Sequence, residues 1–205
     1  MKTYKSYIER VATLTPSVIG YRLLPFNLGH SIALKSAKSK FLNGAYNDFC
    51  DINSIYKAVV TDKTLVSEFV FAVLVCSTTY DDFREEVNNG SFVNTLEEVV
   101  ERLKEDKFDI VQEIHCFALY LQQGTDAPLY DVKKTDDNEV VADSPIDPEE
   151  NILSTLMSDC GYTRNECLNL PMTETLSAYL LYAHKMGSII LRSKAMNDLM
   201  TKGKQ

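Results

Sequence analysis

The sequence predicts an all-α protein, a compact bundle of about seven to nine helices with at most one β-hairpin. Three observations favour this fold class. Apolar residues recur at three- and four-residue spacing through most of the chain, as they do on one face of a helix. Turn-forming residues are scarce, with 8 Gly and 6 Pro among 205 residues, which disfavours a sandwich of many short strands. Helix-capping residues stand directly before several of the apolar periodic segments.

The first part of the chain is expected to hold two helices separated by an extended segment. Residues 4–11 form an apolar helical stripe that Pro16 ends. Residues 19–26 are apolar and are expected to run extended. A second helix is expected over residues 28–44, because Asn43 and Gly44 form a helix-ending pair.

Five helices are expected in the middle of the chain, over residues 52–59, 65–77, 80–87, 91–104 and 110–123. Asp51 is the predicted cap of the first of these helices, and Asp62 or Thr64 that of the second. Ser91 or Asn94 is the predicted cap of the fourth, and Asp106 or Asp109 that of the fifth. The third helix is expected to end at Asn88, Asn89 and Gly90, and the fifth before Gly124. The segment 65–77 is apolar almost all round. We therefore expect it at the centre of the core.

An acidic segment over residues 125–146 divides the chain. It contains Pro128 and Pro145 and lacks helical periodicity, so it is either a loop, which we favour, or a small hairpin. The predicted organisation is a helical core over residues 1–124, this acidic loop, and a C-terminal helical unit over residues 147–205. The unit is expected to pack on the same core, which makes a single domain overall.

The C-terminal unit has the clearest helix signals. Asp147 and Pro148 predict one helix start, and Thr163 with Glu166 forms a capping box before a short helix. A long last helix is expected from Thr173, with Gly187 marking either a bend or a close helix contact. One face of it, expected toward the core, has Leu176, Tyr179, Leu180 and Ala183. The aromatic, flexible and basic surface that we expect to bind a partner consists of Tyr182, Lys185 and Met186.

The charge and the cysteines limit the classes of partner and compartment. A net charge of −8 disfavours binding to nucleic acid, because phosphates repel an acidic protein. The longest apolar run is too short for a membrane helix, and the first twenty residues lack the apolar region of a secretory signal. The 5 cysteines include no CxxC pair and are expected to be free thiols that are mostly buried. We therefore expect a cytoplasmic protein without membrane partners.

The sequence predicts no catalytic, cofactor-binding or metal-binding site. The three histidines, His30, His115 and His184, lack the close ligand spacing of zinc sites and the Glu-x-x-His pairs of di-iron bundles. Cys160 and Cys167 are seven residues apart, across a predicted helix break. No nucleophile elbow, P-loop or dinucleotide fingerprint is present in the sequence. We expect no cofactor and no enzymatic activity.

Two segments together resemble a known class of protein. Residues 23–30 read Leu-Leu-Pro-Phe-Asn-Leu-Gly-His, and residues 161–171 begin Gly-Tyr-Thr and end at Pro171, before a long aromatic-rich helix. The pair resembles helical proteins of tailed-bacteriophage tail morphogenesis, including tail assembly chaperones. The resemblance implies a small helical protein that binds the tape-measure protein or another tail component. It supplies no catalytic residue.

The sequence is therefore compatible with three functions. The first is a non-enzymatic assembly chaperone of phage tails. The second is a structural virion protein, such as a connector or baseplate component. The third is a small helical enzyme whose site is assembled from residues far apart in the sequence. The pattern assigns neither the partner nor the oligomeric state.

Overall fold

The computed structural model describes residues 16–42, 49, 51–105, 109–125 and 148–202. In these ranges nine helices and one two-stranded hairpin form the fold, which confirms the all-α class. The strands are β1 (Ser17–Val18) and β2 (Tyr21–Arg22). The helices are α1 (Leu28–Ser36), α2 (Ile52–Thr61), α3 (Leu65–Ser77), α4 (Tyr80–Asn89), α5 (Ser91–Glu105), α6 (Ile110–Thr125), α7 (Pro148–Asp159), α8 (Arg164–Asn169) and α9 (Met172–Lys202). The predicted stripe over residues 4–11 and the acidic segment from residue 126 to 146 lie outside the described residues.

Helix α3 occupies the centre of the core, as predicted from its apolar residues. Eight of its 13 residues are buried, including Val70 and Leu74. It contacts α1, α2, α5, α6 and β2. Phe69 on α3 packs with Phe41 and Phe117, whose ring centroids lie 5.4 to 6.0 Å from one another. The interdigitated rings exclude water from the region where these helices meet.

A short hairpin precedes the first described helix and was not predicted. Ser17 pairs with Arg22 and Val18 with Tyr21, and the turn between them places Ile19 and Gly20 at positive φ. Glu113 and Arg102 hold this turn from α6 and α5: the Ile19 amide donates to Glu113 Oε2 at 2.6 Å, and Arg102 donates to the Ile19 carbonyl at 3.3 Å. These tertiary contacts stabilise a strained β-branched residue in the turn.

Helix α1 ends earlier than the sequence predicts. It stops at Ser36 rather than near Asn43, because Lys38 takes a left-handed conformation (φ 54°) and the Ser39 amide donates to the Leu34 carbonyl at 2.9 Å. This turn directs Phe41 into the core, where it is fully buried. A glycine is typical of the left-handed position, so its occupation by lysine concealed the helix end.

Two helical glycines were interpreted from the sequence, and the prediction for Gly124 was wrong. Helix α6 continues through Gly124 to Thr125 instead of ending before it. Helix α9 is continuous past Gly187. An added Cβ atom there would meet nothing within 4 Å in the described part of the chain, so the close helix contact, one of the two alternatives at this glycine, does not form within that part. The capping box is confirmed: the Thr163 hydroxyl accepts from the Glu166 amide, and the Thr163 amide donates to the Glu166 carboxylate at 2.8 Å.

The two segments that carry the phage resemblance lie against each other. Asn27 and Pro171 form an isolated antiparallel bridge, and the Met172 amide donates to the Phe26 carbonyl at 2.7 Å. Gly29 approaches the carbonyl of Leu168 so closely that a Cβ atom would stand 2.9 Å from its oxygen. This packing joins the C-terminal helices to the core.

Candidate functional site

The long helix α9 is fixed to the rest of the protein near its beginning. Met172 and Thr175 are buried, and the Tyr179 hydroxyl accepts a hydrogen bond from Asn151 Nδ2 of α7 at 3.2 Å. One turn later the Tyr182 hydroxyl donates to Asp159 Oδ2, at the last residue of α7, at 3.0 Å. Because α7 ends at Asp159, the contact between α7 and α9 ends near Tyr182.

The next turn of α9 presents apolar and basic side chains to solvent. Leu181 is 59% exposed and Met186 is 36% exposed, and Lys185 is also exposed. Tyr182 is half-buried, and its hydrogen bond to the Asp159 carboxylate raises the pKa of its phenol above the ordinary value. These four residues, Leu181, Tyr182, Lys185 and Met186, are called the α9 surface below.

The structure brings the three predicted partner-binding residues together but changes the expected pattern around them. Tyr182 is tied to α7 rather than free in solvent. Ala183, which we expected to face the core, is exposed. Leu181 was not predicted as part of the surface. Its position, one residue before Tyr182 and four before Lys185, was the available signal, because residues four apart lie on one helix face.

A second surface feature is a cleft of about 430 Å³ between α1, α4, α7 and α8. Its lining combines apolar and charged side chains, namely Ile32, Lys35, Ser36, Tyr80, Glu149, Glu150, Leu153 and Arg164. Lys35 Nζ lies 2.6 Å from Glu149 Oε2, and the Ser31 hydroxyl donates to the same carboxylate at 3.3 Å. The charges of Lys35 and Glu149 therefore pair with each other, and the contact joins α1 to α7.

His30 is a buried structural histidine. Its amide donates to Asn27 Oδ1 at 2.8 Å, which caps α1, and its Nε2 donates to the Thr78 carbonyl at 2.9 Å. Burial lowers the pKa of the imidazole to about 4, and the hydrogen bond to Thr78 opposes this effect. The side chain is 1% exposed and is therefore neutral near pH 7 and out of reach of solvent.

The thiols are free where they are described. Cys76 and Cys167 are buried, whereas Cys116 and Cys160 are half-buried, so the expectation that most thiols are buried holds for two of the four. Burial raises the pKa of the Cys76 thiol well above its ordinary value. Cys50 lies outside the described residues. High thiol pKa values reduce the thiolate that a nucleophile or metal ligand requires.

In the described ranges, no three His, Cys, Asp or Glu side chains lie together in an arrangement that could hold a metal ion. His115 is half-buried on α6, and His184 is exposed on α9. Every helix of the described part is too short or too polar to span a bilayer.

The described residues form an all-α protein in which α9, with 31 residues, is much longer than the other helices. Comparisons with protein-family models, with curated proteins and with solved structures found no match.

Proposed function

We propose that this chain is a non-enzymatic interaction protein of phage tail morphogenesis, an assembly chaperone that binds a tail component in the host cytoplasm. Its partner is the tape-measure protein or another tail protein, and the α9 surface makes the contact. The observation that carries the proposal is the exposure of Leu181, Lys185 and Met186 beside the half-buried Tyr182 on one helix. The two segments that resemble tail-morphogenesis proteins support the phage context.

The length of α9 supports a binding role. A helix of 31 residues spans about 46 Å at 1.5 Å per residue. Its first turns are covered by α6 and α7, while residues 183 to 186 are all exposed. Tyrosine and methionine are enriched at interfaces, since both give large contact area and methionine adapts its shape to the partner. A helix with such residues on its open side is suited to pairing with an amphipathic segment.

The test is capture of the purified tape-measure protein by a double variant, Tyr182→Ala with Met186→Ala. We expect capture to fall by at least about tenfold, which corresponds to 1.4 kcal/mol. The matched control is Tyr56→Ala with Val60→Ala on α2, which removes a tyrosine and an apolar residue at the same spacing from an exposed surface. Tyr182→Phe separates loss of the ring from loss of the hydrogen bond to Asp159.

The outcomes separate binding from folding. Circular dichroism must show the helical content of all variants to be equal. Equal capture by the double variant and the parent protein would contradict the α9 surface as the binding site. Mass spectrometry of purified phage particles tests the class of protein: an assembly chaperone is absent from mature virions, whereas a structural component is present at stoichiometric copy number.

A further inference from the structure

The exposed side of α9 points to a particular chemistry in the partner: we infer that the α9 surface binds an amphipathic helix with acidic residues beside its apolar face. This inference rests on the proposed function and names the kind of segment that the site accepts. It follows from the register of α9 and from the charge along it.

The register of α9 places the four residues of the α9 surface side by side. Successive residues of a helix are about 100° apart, so Leu181, Lys185, Tyr182 and Met186 fall in that order within an arc of about 140°. Leu181 and Lys185 form one ridge, and Tyr182 and Met186 form the next. The result is an apolar strip with an ammonium group on one of its two ridges.

The sequence of α9 adds to the basic character of this region. Residues 181–202 contain four basic residues and one acidic residue, Asp198. The exposed cation among the described side chains of the α9 surface is Lys185.

This basic helix contrasts with the rest of the protein. The whole chain has a net charge of −8, and the exposed sides of α4 and α5 hold Asp81, Glu85, Glu97 and Glu101. An acidic segment is therefore repelled by α4 and α5 and attracted by α9. Charge complementarity of this kind selects the partner and fixes where it docks more than it raises the affinity. A second copy of the chain presents the same lysine on its own α9 surface, so its charge does not complement the first.

The probes are two fluorescein-labelled synthetic helical peptides of equal length, with leucines on one face and either glutamates or lysines beside them. Fluorescence anisotropy with the full chain should show the glutamate peptide binding at least about tenfold more tightly than the lysine peptide. This preference should shrink as ionic strength rises from about 0.05 to 0.5 M, because salt screens exposed charges. Lys185→Glu should reduce the preference at least about threefold, since opposite charges across an interface determine the choice of partner. Lys63→Glu, the same charge reversal at another exposed lysine, should leave it unchanged.

Several results would overturn the inference. Equal affinity for the two peptides, preference for the lysine peptide, no binding of either, or an equal effect of Lys63→Glu would each contradict the acidic partner. Self-association of the chain through α9, seen by light scattering and lost in Met186→Glu, would replace the partner by a second copy. The proposed function fails separately, when capture of the tape-measure protein is insensitive to the loss of Tyr182 and Met186.

Discussion

Gly124 on α6 lies directly against Phe26: a Cβ atom at position 124 would stand 2.5 Å from the Cβ atom of Phe26. Because Gly124 has no side chain, the buried segment before α1 can pass close to the end of α6. The same segment is held by the Tyr120 hydroxyl, which donates to the Leu24 carbonyl at 2.7 Å, and by the Leu24 amide, which donates to the Cys76 carbonyl at 2.8 Å. A helical glycine is thus explained by a tertiary contact and not by a helix end.

Gly124→Ala is expected to lower the free energy of unfolding by about 1–3 kcal/mol, because an added methyl group overpacks the contact with Phe26. Gly187→Ala on α9 is the matched control. It adds the same methyl group to a helical glycine with nothing within 4 Å, and we expect a gain of up to about 1 kcal/mol from helix propensity. Urea denaturation measures both, and effects of the same sign would contradict the assignment.

The core position of α3 predicts that a charge within it prevents folding. Val70 and Leu74 are 0% and 4% exposed, so Val70→Asp or Leu74→Asp buries an unpaired carboxylate. Such a charge costs several kcal/mol against a typical total stability of about 5–15 kcal/mol. Circular dichroism and thermal melting should show an unfolded chain.

Val60→Asp on α2 is the control for this substitution, because Val60 is 67% exposed and should tolerate a carboxylate. A soluble Val70→Asp variant with an unchanged melting temperature would show that α3 is not the core helix.

The elements that the sequence predicted correctly are those determined by local chemistry. Helix α3 follows from apolar residues on all sides, and α8 follows from the reciprocal hydrogen bonds of Thr163 and Glu166. The end of α1 was missed because Lys38 takes a left-handed conformation that is typical of glycine, in a turn that places Phe41 in the core. Local patterns do not include such long-range contacts.

At the candidate site, too, local residue types could be interpreted from the sequence, whereas long-range contacts could not. The types of residue at 182, 185 and 186 suggested an interface, but the hydrogen bond of Tyr182 to Asp159 joins residues 23 apart. The ion pair between Lys35 and Glu149 joins residues 114 apart, and nothing in the sequence connects them. Pairs of this kind depend on how helices pack, so the position of α7 beside α9 had to come from the structure.

Burial of His30 predicts a loss of stability in mild acid. Its pKa is lowered from 6.5 to about 4 in the folded state, so the unfolded chain binds more protons between these pH values. Stability is therefore full above pH 6.5 and falls as the pH decreases toward 4. The slope is at most about 1.4 kcal/mol per pH unit, and the total is about 3 kcal/mol.

The measurement is the free energy of unfolding by urea at a series of pH values from 7 to 4. His30→Gln should flatten this dependence, while His184→Gln, which changes an exposed histidine, should retain it. A slope equal in His30→Gln and the parent protein would show that other groups cause the acid sensitivity.

The last prediction concerns the acidic segment. Residues 126–146 are rich in acidic side chains and contain two prolines, so they have little apolar surface to contribute to a core. The helices on either side are held independently: Phe117 and Leu121 of α6 are fully buried, and Leu156 of α7 is fully buried. Replacing the segment with a Gly/Ser linker of about half its length should change stability by less than about 1 kcal/mol, because loop closure depends weakly on length.

Capture of the tape-measure protein by this replacement variant then distinguishes the α9 surface from the acidic segment as the binding site. With the α9 surface intact, capture should be retained, since the contacts of Tyr182 and Met186 do not require the acidic segment. A fall in stability of several kcal/mol would show that the segment packs on the helices. Lost capture in the replacement variant, together with retained capture in Tyr182→Ala with Met186→Ala, would move the binding site to the acidic segment and refute the role of α9.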